Sequence, residues 1–357
     1  MSNILYWIDD THDVGKPPSL TEQKRLEKGL KVSLGIRTVK DRKQFDELLA
    51  QLNTTNGRNV AGVIMDYQLT GVGEKGLWAF GNTWAAEIRA VAASIPVIGI
   101  SHEPEKKIPR LRLESFLAFF PRDVLMGLRP PFEDISALLG GYAMAYKAFE
   151  KQKGDKPSGV ELLLDLVKPP KAVSDLIAAA IPTKLTGHWD KETPHMASRW
   201  LWHDFQGRPG FLFDDLALAT YLGLNLHGIK FIHRKFQEAR YAGAFASDQR
   251  TRWWVSSVRE IAEKLIGERI VGPVSNARKE LLKALRVTKS NRPKLLARAH
   301  PNQSLDFIPD CVAYSDDEVE EEDRVQALFK DTRVDPRDAN PPFGFEPRRI
   351  YEPASRS

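Results

Sequence analysis

The chain has 357 residues, 42% hydrophobic and 28% charged, with a formal net charge of +5. This is ordinary globular composition, long enough for two domains, and the mild positive balance permits nucleic-acid contact without demanding it. The lone Cys311 excludes an internal disulfide and a cysteine-rich zinc site, and no window approaches the length of a membrane span, so the expected setting is the cytoplasm, away from membranes.

In chain order, the run Ile4-Leu5-Tyr6-Trp7-Ile8 predicts a buried strand that ends on the acid pair Asp9-Asp10. Residues 11–19 read as a solvated polar loop containing His12 and Lys16, and Leu20 to Gly29 as a first helix. Lys31 to Val39 is a weaker alternating strand. Asp41 is placed to cap the next helix, whose Phe45, Leu48, Leu49 and Leu52 fall on one stripe at helical spacing.

The chain is organised around Val60 to Leu69, an apolar run that breaks off at the carboxylate Asp66. A run apolar on both faces suits a central strand of a parallel sheet, because helices cover both sides of such a sheet. A Gly-rich turn, residues 69–76, then leads into a helix through about Ala93. The run Ile95 to Ile100 has the same strand-like shape and ends on Ser101-His102. Pro104 and Pro109 leave at most a short helix before Ser115 to Phe120, the expected fifth strand, which is followed by Pro121-Arg122. Pro130-Pro131-Phe132 opens an amphipathic helix, Glu133 to Lys151. Open α/β sheets place their chemistry at the carboxyl ends of the strands. Acids and a hydroxyl delivered to one such edge would form an oxygen-rich pocket suited to a hard cation.

Strand-Asp-Asp, strand-Asp-x-x-Leu and strand-Ser, in this order, resemble the receiver domain of two-component response regulators. The resemblance implies a doubly wound, flavodoxin-like α/β domain with a five-stranded parallel sheet over residues 1–150. It also implies Asp66 as phospho-acceptor, Asp9, Asp10 and Asp66 as ligands of Mg²⁺, Ser101 as the switch hydroxyl, and a sensor histidine kinase or other phosphodonor as partner. The family's lysine after the fifth strand is missing here, and Arg122 is the cation in its place. Guanidinium is a planar fork and ammonium a compact point charge, so the exchange is not conservative where a phosphate is read.

Residues 151–159 are polar with Gly and Pro and read as a linker. Residues 160–312 lack parallel-sheet alternation and read as a mainly α-helical second domain. Its segment 187–210 is rich in Trp and His, and His195, His203, Asp204, Asp214 and Asp215 are residue types found in His/Asp hydrolase sites. No metal-ligand spacing joins them, and a Trp-packed core with His and Asp as hydrogen-bonding partners is the competing reading. The stretch from Arg240 to Trp254 mixes Arg with aromatic planes, which serves either base stacking or packing across a helix junction.

Val258 to Leu265 and Arg278 to Leu285 read as a helix pair resembling a helix-turn-helix. Lys279, Lys283, Arg286, Lys289 and Arg292 belong to its basic stripe, the electrostatic footprint of duplex DNA contact. Residues 313–357 are acidic and then Pro-rich, the composition of an extended tail. The expected function is phospho-signal reception controlling a helical output that binds DNA, with a second copy of the chain as a further partner. The alternatives are a non-phosphorylated receiver-shaped scaffold, and an output enzyme built on the His/Asp segment.

Overall fold

The computed structural model describes residues 4–9, 17–54, 59–69, 80–103, 107–128, 130–152, 157–207, 210–222, 233–248, 250–266, 281, 283 and 284. Five strands form one parallel sheet: β1 (Ile4–Asp9), β2 (Ser33–Thr38), β3 (Val60–Asp66), β4 (Val97–Ser101) and β5 (Ala118–Pro121). Their order is β2-β1-β3-β4-β5, so β3 is central, as its double-sided apolar run requires. This is a doubly wound α/β arrangement, with the order found in flavodoxin-like sheets.

The helices of this part are α1 (Leu20–Leu30), α2 (Arg42–Leu52), α3 (Gly81–Val91), α4 (Arg110–Leu113), α5 (Arg122–Met126) and α6 (Phe132–Lys151). Asp41 caps α2 as expected, its carboxylate accepting from the Gln44 N–H at 2.9 Å. The apolar stripe Phe45, Leu48, Leu49 and Leu52 is buried, and Phe45 meets Trp84 of α3 at 4.0 Å between ring centroids. Together with Ile8, Val63, Met65 and Val97 these residues form the core on one face of the sheet. Successive strand side chains alternate between faces, so Trp7, Asp9, Ile64, Asp66, Ile98 and Ile100 point to the other face. Leu139 of α6 lies against Gly62 on that second face.

Expected and observed elements differ at β5 and in the later part of the chain. Residues 115–117 precede β5 rather than opening it. Leu212–Phe213 and Trp253–Trp254, within the part expected to be mainly α-helical, pair as the antiparallel strands β6 and β7.

Chain packing gives two compact units. One comprises residues 1–168, 178–204 and 243–250, and the other residues 169–177, 205–242 and 251–357. The first unit adds α7 (Gly159–Val167), α9 (Thr183–Thr186) and α10 (Thr193–Arg199) to the sheet and its helices; α8 (Ser174–Ala180) spans the division. A π-helical turn, Trp200–Phe205, continues α10. The second unit packs β6 and β7 with α11 (Asp215–Leu222) and α12 (Val255–Ile266), around a core that includes Phe213, Leu222, Phe236, Trp253 and Leu281. Among the described residues, no helix is long and apolar enough to cross a membrane.

Candidate functional site

At the carboxyl edge of the sheet, the end of β1 delivers Asp9, the end of β3 Asp66, the end of β4 Ser101, and the residue after β5 Arg122. All four are buried: relative exposure is 0% for Asp9, 4% for Asp66, 1% for Ser101 and 4% for Arg122. Neighbouring strands stand about 4.8 Å apart, so carboxylates at the ends of β1 and β3 are close enough to repel strongly inside the protein.

Arg122 offsets that repulsion. Its Nη1 donates to Asp66 Oδ2 at 2.7 Å and its Nη2 to Asp9 Oδ2 at 2.9 Å. The planar guanidinium spans both acids at once, a geometry that an ammonium cannot copy. Arg122 reaches this position because it is the first residue of α5, directly after Pro121 at the end of β5. Arg25 of α1 secures the far end of that short helix by donating from Nη2 to the Met126 carbonyl at 2.6 Å.

Asp9 has a second donor. Trp7 lies two residues earlier on the same strand face, and its indole Nε1 donates to Asp9 Oδ2 at 3.2 Å. The Arg122 guanidinium stands 5.6 Å from the Trp7 ring centroid, within cation–π range. The other oxygen of Asp66, Oδ1, accepts from the Gln68 N–H at 3.1 Å. Ser101 Oγ accepts from the Glu103 N–H at 2.9 Å and so shapes the turn that leaves β4.

The backbone next to Asp66 is fixed from two directions. The Tyr67 N–H donates to the Ile100 carbonyl at 2.8 Å, and the Gly81 N–H to the Tyr67 carbonyl at 2.7 Å. Any Cβ at position 81 would collide with the Asp66 carbonyl, so only glycine lets α3 begin there. Tyr67 is itself held from α4: Arg112 donates from Nη1 to its hydroxyl at 2.9 Å, and the Arg112 guanidinium lies 4.1 Å from the Phe80 ring centroid.

Of the predicted pocket residues, Asp9, Asp66 and Arg122 are brought into direct contact, and Ser101 lies at the end of the adjoining strand. Asp10, the Gly-rich turn from residue 70, and the loop carrying His12 and Lys16 lie outside the described residues. Two buried carboxylates turned onto one positive group are donors that suit a hard cation, and the cation they hold is the guanidinium. Among the described residues, no group of three or more His, Cys, Asp or Glu is gathered for a metal. Trp7, Gly81 and Arg112 were not singled out from sequence. Only the i, i+2 spacing of Trp7 and Asp9 on one strand offered a signal.

His195, His203, Asp214 and Asp215 of the later segment each engage a partner of their own. His195 Nε2 donates to the Glu114 carbonyl at 3.0 Å, and His203 Nε2 to the Leu117 carbonyl at 3.1 Å. Burial, with Arg89 beside it, pushes His195 down to about 3, and burial with Arg199 lowers His203 as well, so both rings are neutral donors at ordinary pH. Asp214 caps α11 by accepting from the Ala217 N–H at 2.7 Å, while Asp215 accepts from Trp253 Nε1 at 2.8 Å.

The aromatic rings between Tyr241 and Trp254 are buried, which removes them as faces for nucleic-acid bases. Of the basic stripe only Lys283 is described, and it is exposed; Lys279, Arg286, Lys289 and Arg292 lie outside the described residues. A scan against protein-family models finds no match for this chain, and a search of curated proteins finds none similar to it.

Proposed function

We propose that the α/β unit is a receiver-type signal-input module in which Asp66 accepts a phosphoryl group from a sensor histidine kinase or another phosphodonor. One observation carries this reading. Asp66 sits buried at the carboxyl end of the central strand and accepts from the Arg122 guanidinium, which also holds Asp9, while Ser101 ends the adjoining strand. A carboxylate so placed has positive charge from Arg122 beside it for an added phosphoryl group, and Ser101 is the proposed switch hydroxyl. Asp9 and Asp66, with Asp10, are the residues that would hold Mg²⁺, which supplies charge neutralisation for the oxygens of an incoming phosphoryl group.

The rest of the chain, including its basic stripe, is the proposed output, with duplex DNA as its target. A second copy of the chain is a further proposed partner, and the cytoplasm the proposed setting. A second reading, a receiver-shaped scaffold that is never phosphorylated, is favoured by the fork of Arg122, which already pairs with both acids.

Beryllofluoride with Mg²⁺ separates the two, because it mimics a phosphoryl group on a carboxylate. The receiver reading expects a rise in thermal midpoint for the wild type that is lost in Asp66→Asn. The scaffold reading expects no rise in either.

A further inference from the structure

Resting on the receiver reading, we propose that Arg122 is the resident counter-ion of the acidic pocket and competes with a divalent cation for Asp9 and Asp66. The two arms of the guanidinium end on the Oδ2 atoms of both acids, at 2.9 Å and 2.7 Å. Asp9 Oδ2 also accepts the Trp7 indole, so that oxygen is engaged by two protein donors. A guanidinium and a metal ion draw on the same oxygens and the same negative charge, and each weakens the other's hold by the same factor.

The protein makes this occupancy persistent. Arg122 is 4% exposed, its ring-side neighbour is Trp7, and the helix it begins is tethered at the Met126 carbonyl by Arg25. On this proposal, entry of a cation draws at least one arm of the fork off its carboxylate. A lysine at the same place is a point charge without a fork, and would hold the pair of acids less fully. The pocket is closed by default, and readiness for a phosphoryl group depends on how much divalent cation is present to displace the fork. Trp7, bonded to one of the contested acids, reports the exchange.

The test is a titration of the full chain with Mg²⁺ alone, followed by calorimetry and by tryptophan fluorescence, on the wild type, Arg122→Lys, Arg122→Met and Asp66→Asn. Circular dichroism establishes the folded state of each variant beforehand. Competition predicts that Arg122→Lys binds Mg²⁺ at least about tenfold more tightly than the wild type, the worth of one charge-assisted hydrogen bond released. If Arg122→Met fails to fold without metal, its recovery on addition of Mg²⁺ is the same result in another form.

Equal affinities for wild type and Arg122→Lys, or weaker binding by Arg122→Lys, would overturn the competition while leaving Asp66 as a phospho-acceptor untouched. Absence of Mg²⁺ binding by every folded variant would overturn both the competition and the metal-assisted form of the receiver reading. Phosphoryl labelling of Asp66 in the same samples tells these failures apart.

Discussion

Without Arg122, Asp9 and Asp66 would lose the buried guanidinium that both carboxylates share. Breaking a buried ion group by removing one partner costs about 3–5 kcal/mol, so Arg122→Ala is expected to lower unfolding free energy by that order in a urea titration. Arg122→Lys should lose less, because a positive charge remains. The other titration legible at single residues is acid sensitivity. His195 has its folded value depressed from 6.5 to about 3, by burial first and then by Arg89, so the unfolded chain binds the proton more readily. Its contribution is fully present above about pH 6.5 and is lost as pH falls toward 3, at up to about 1.4 kcal/mol per pH unit. His195→Gln should therefore flatten the stability–pH curve between about pH 6 and 4. An unchanged slope would mean that the ring is not buried neutral against the Glu114 carbonyl.

Segments 113–117 and 193–203 show how elements that sequence leaves unconnected come to depend on each other. Arg199 donates to the Leu113 and Phe116 carbonyls, His195 to Glu114, Arg89 to Ser115 and His203 to Leu117. Five successive carbonyls ahead of β5 are thus held by side chains from α3 and from the α10 region. Replacing Arg199 by Met should raise hydrogen exchange across residues 113–118 while leaving β1 and β3 protected, since those strands draw on other partners. Gly81→Ala should destabilise by more than the usual overpacking cost of about 1–3 kcal/mol, because the obstacle is the Asp66 backbone rather than a side chain that can turn aside.

These contacts also mark where sequence stops being informative. β1, β3 and β4 were legible because strands buried on both faces read as unbroken apolar runs, and α2 because its cap and stripe are local. The early limit set for β5 missed because Ser115 and Phe116 spend their carbonyls on Arg89 and Arg199 rather than on a strand. The α10 and π-helical stretch carries little periodicity, and its His residues pair with carbonyls about eighty positions away. At the carboxyl edge, Asp9, Asp66, Ser101 and Arg122 stand at or next to strand ends, which the apolar runs locate. Gly81 and Arg112 act through distances in space that no spacing encodes.

At the scale of the whole chain, the α/β unit carries the proposed input and the basic stripe near residues 278–298 the proposed output. If that stripe contacts duplex DNA, affinity should fall steeply with salt, and joint replacement of Lys279, Lys283 and Arg286 should flatten the log–log slope by up to about three. No binding at about 50 mM salt would leave a protein partner as the output. The account rests above all on Asp66 as an acceptor. The measurement that reaches it most directly is intact-mass analysis of the full chain after incubation with acetyl phosphate and Mg²⁺, followed by peptide mapping. The account predicts a single hydroxylamine-labile phosphoryl adduct at Asp66, absent from Asp66→Asn. An unmodified wild type, or an adduct that persists in Asp66→Asn, would contradict it.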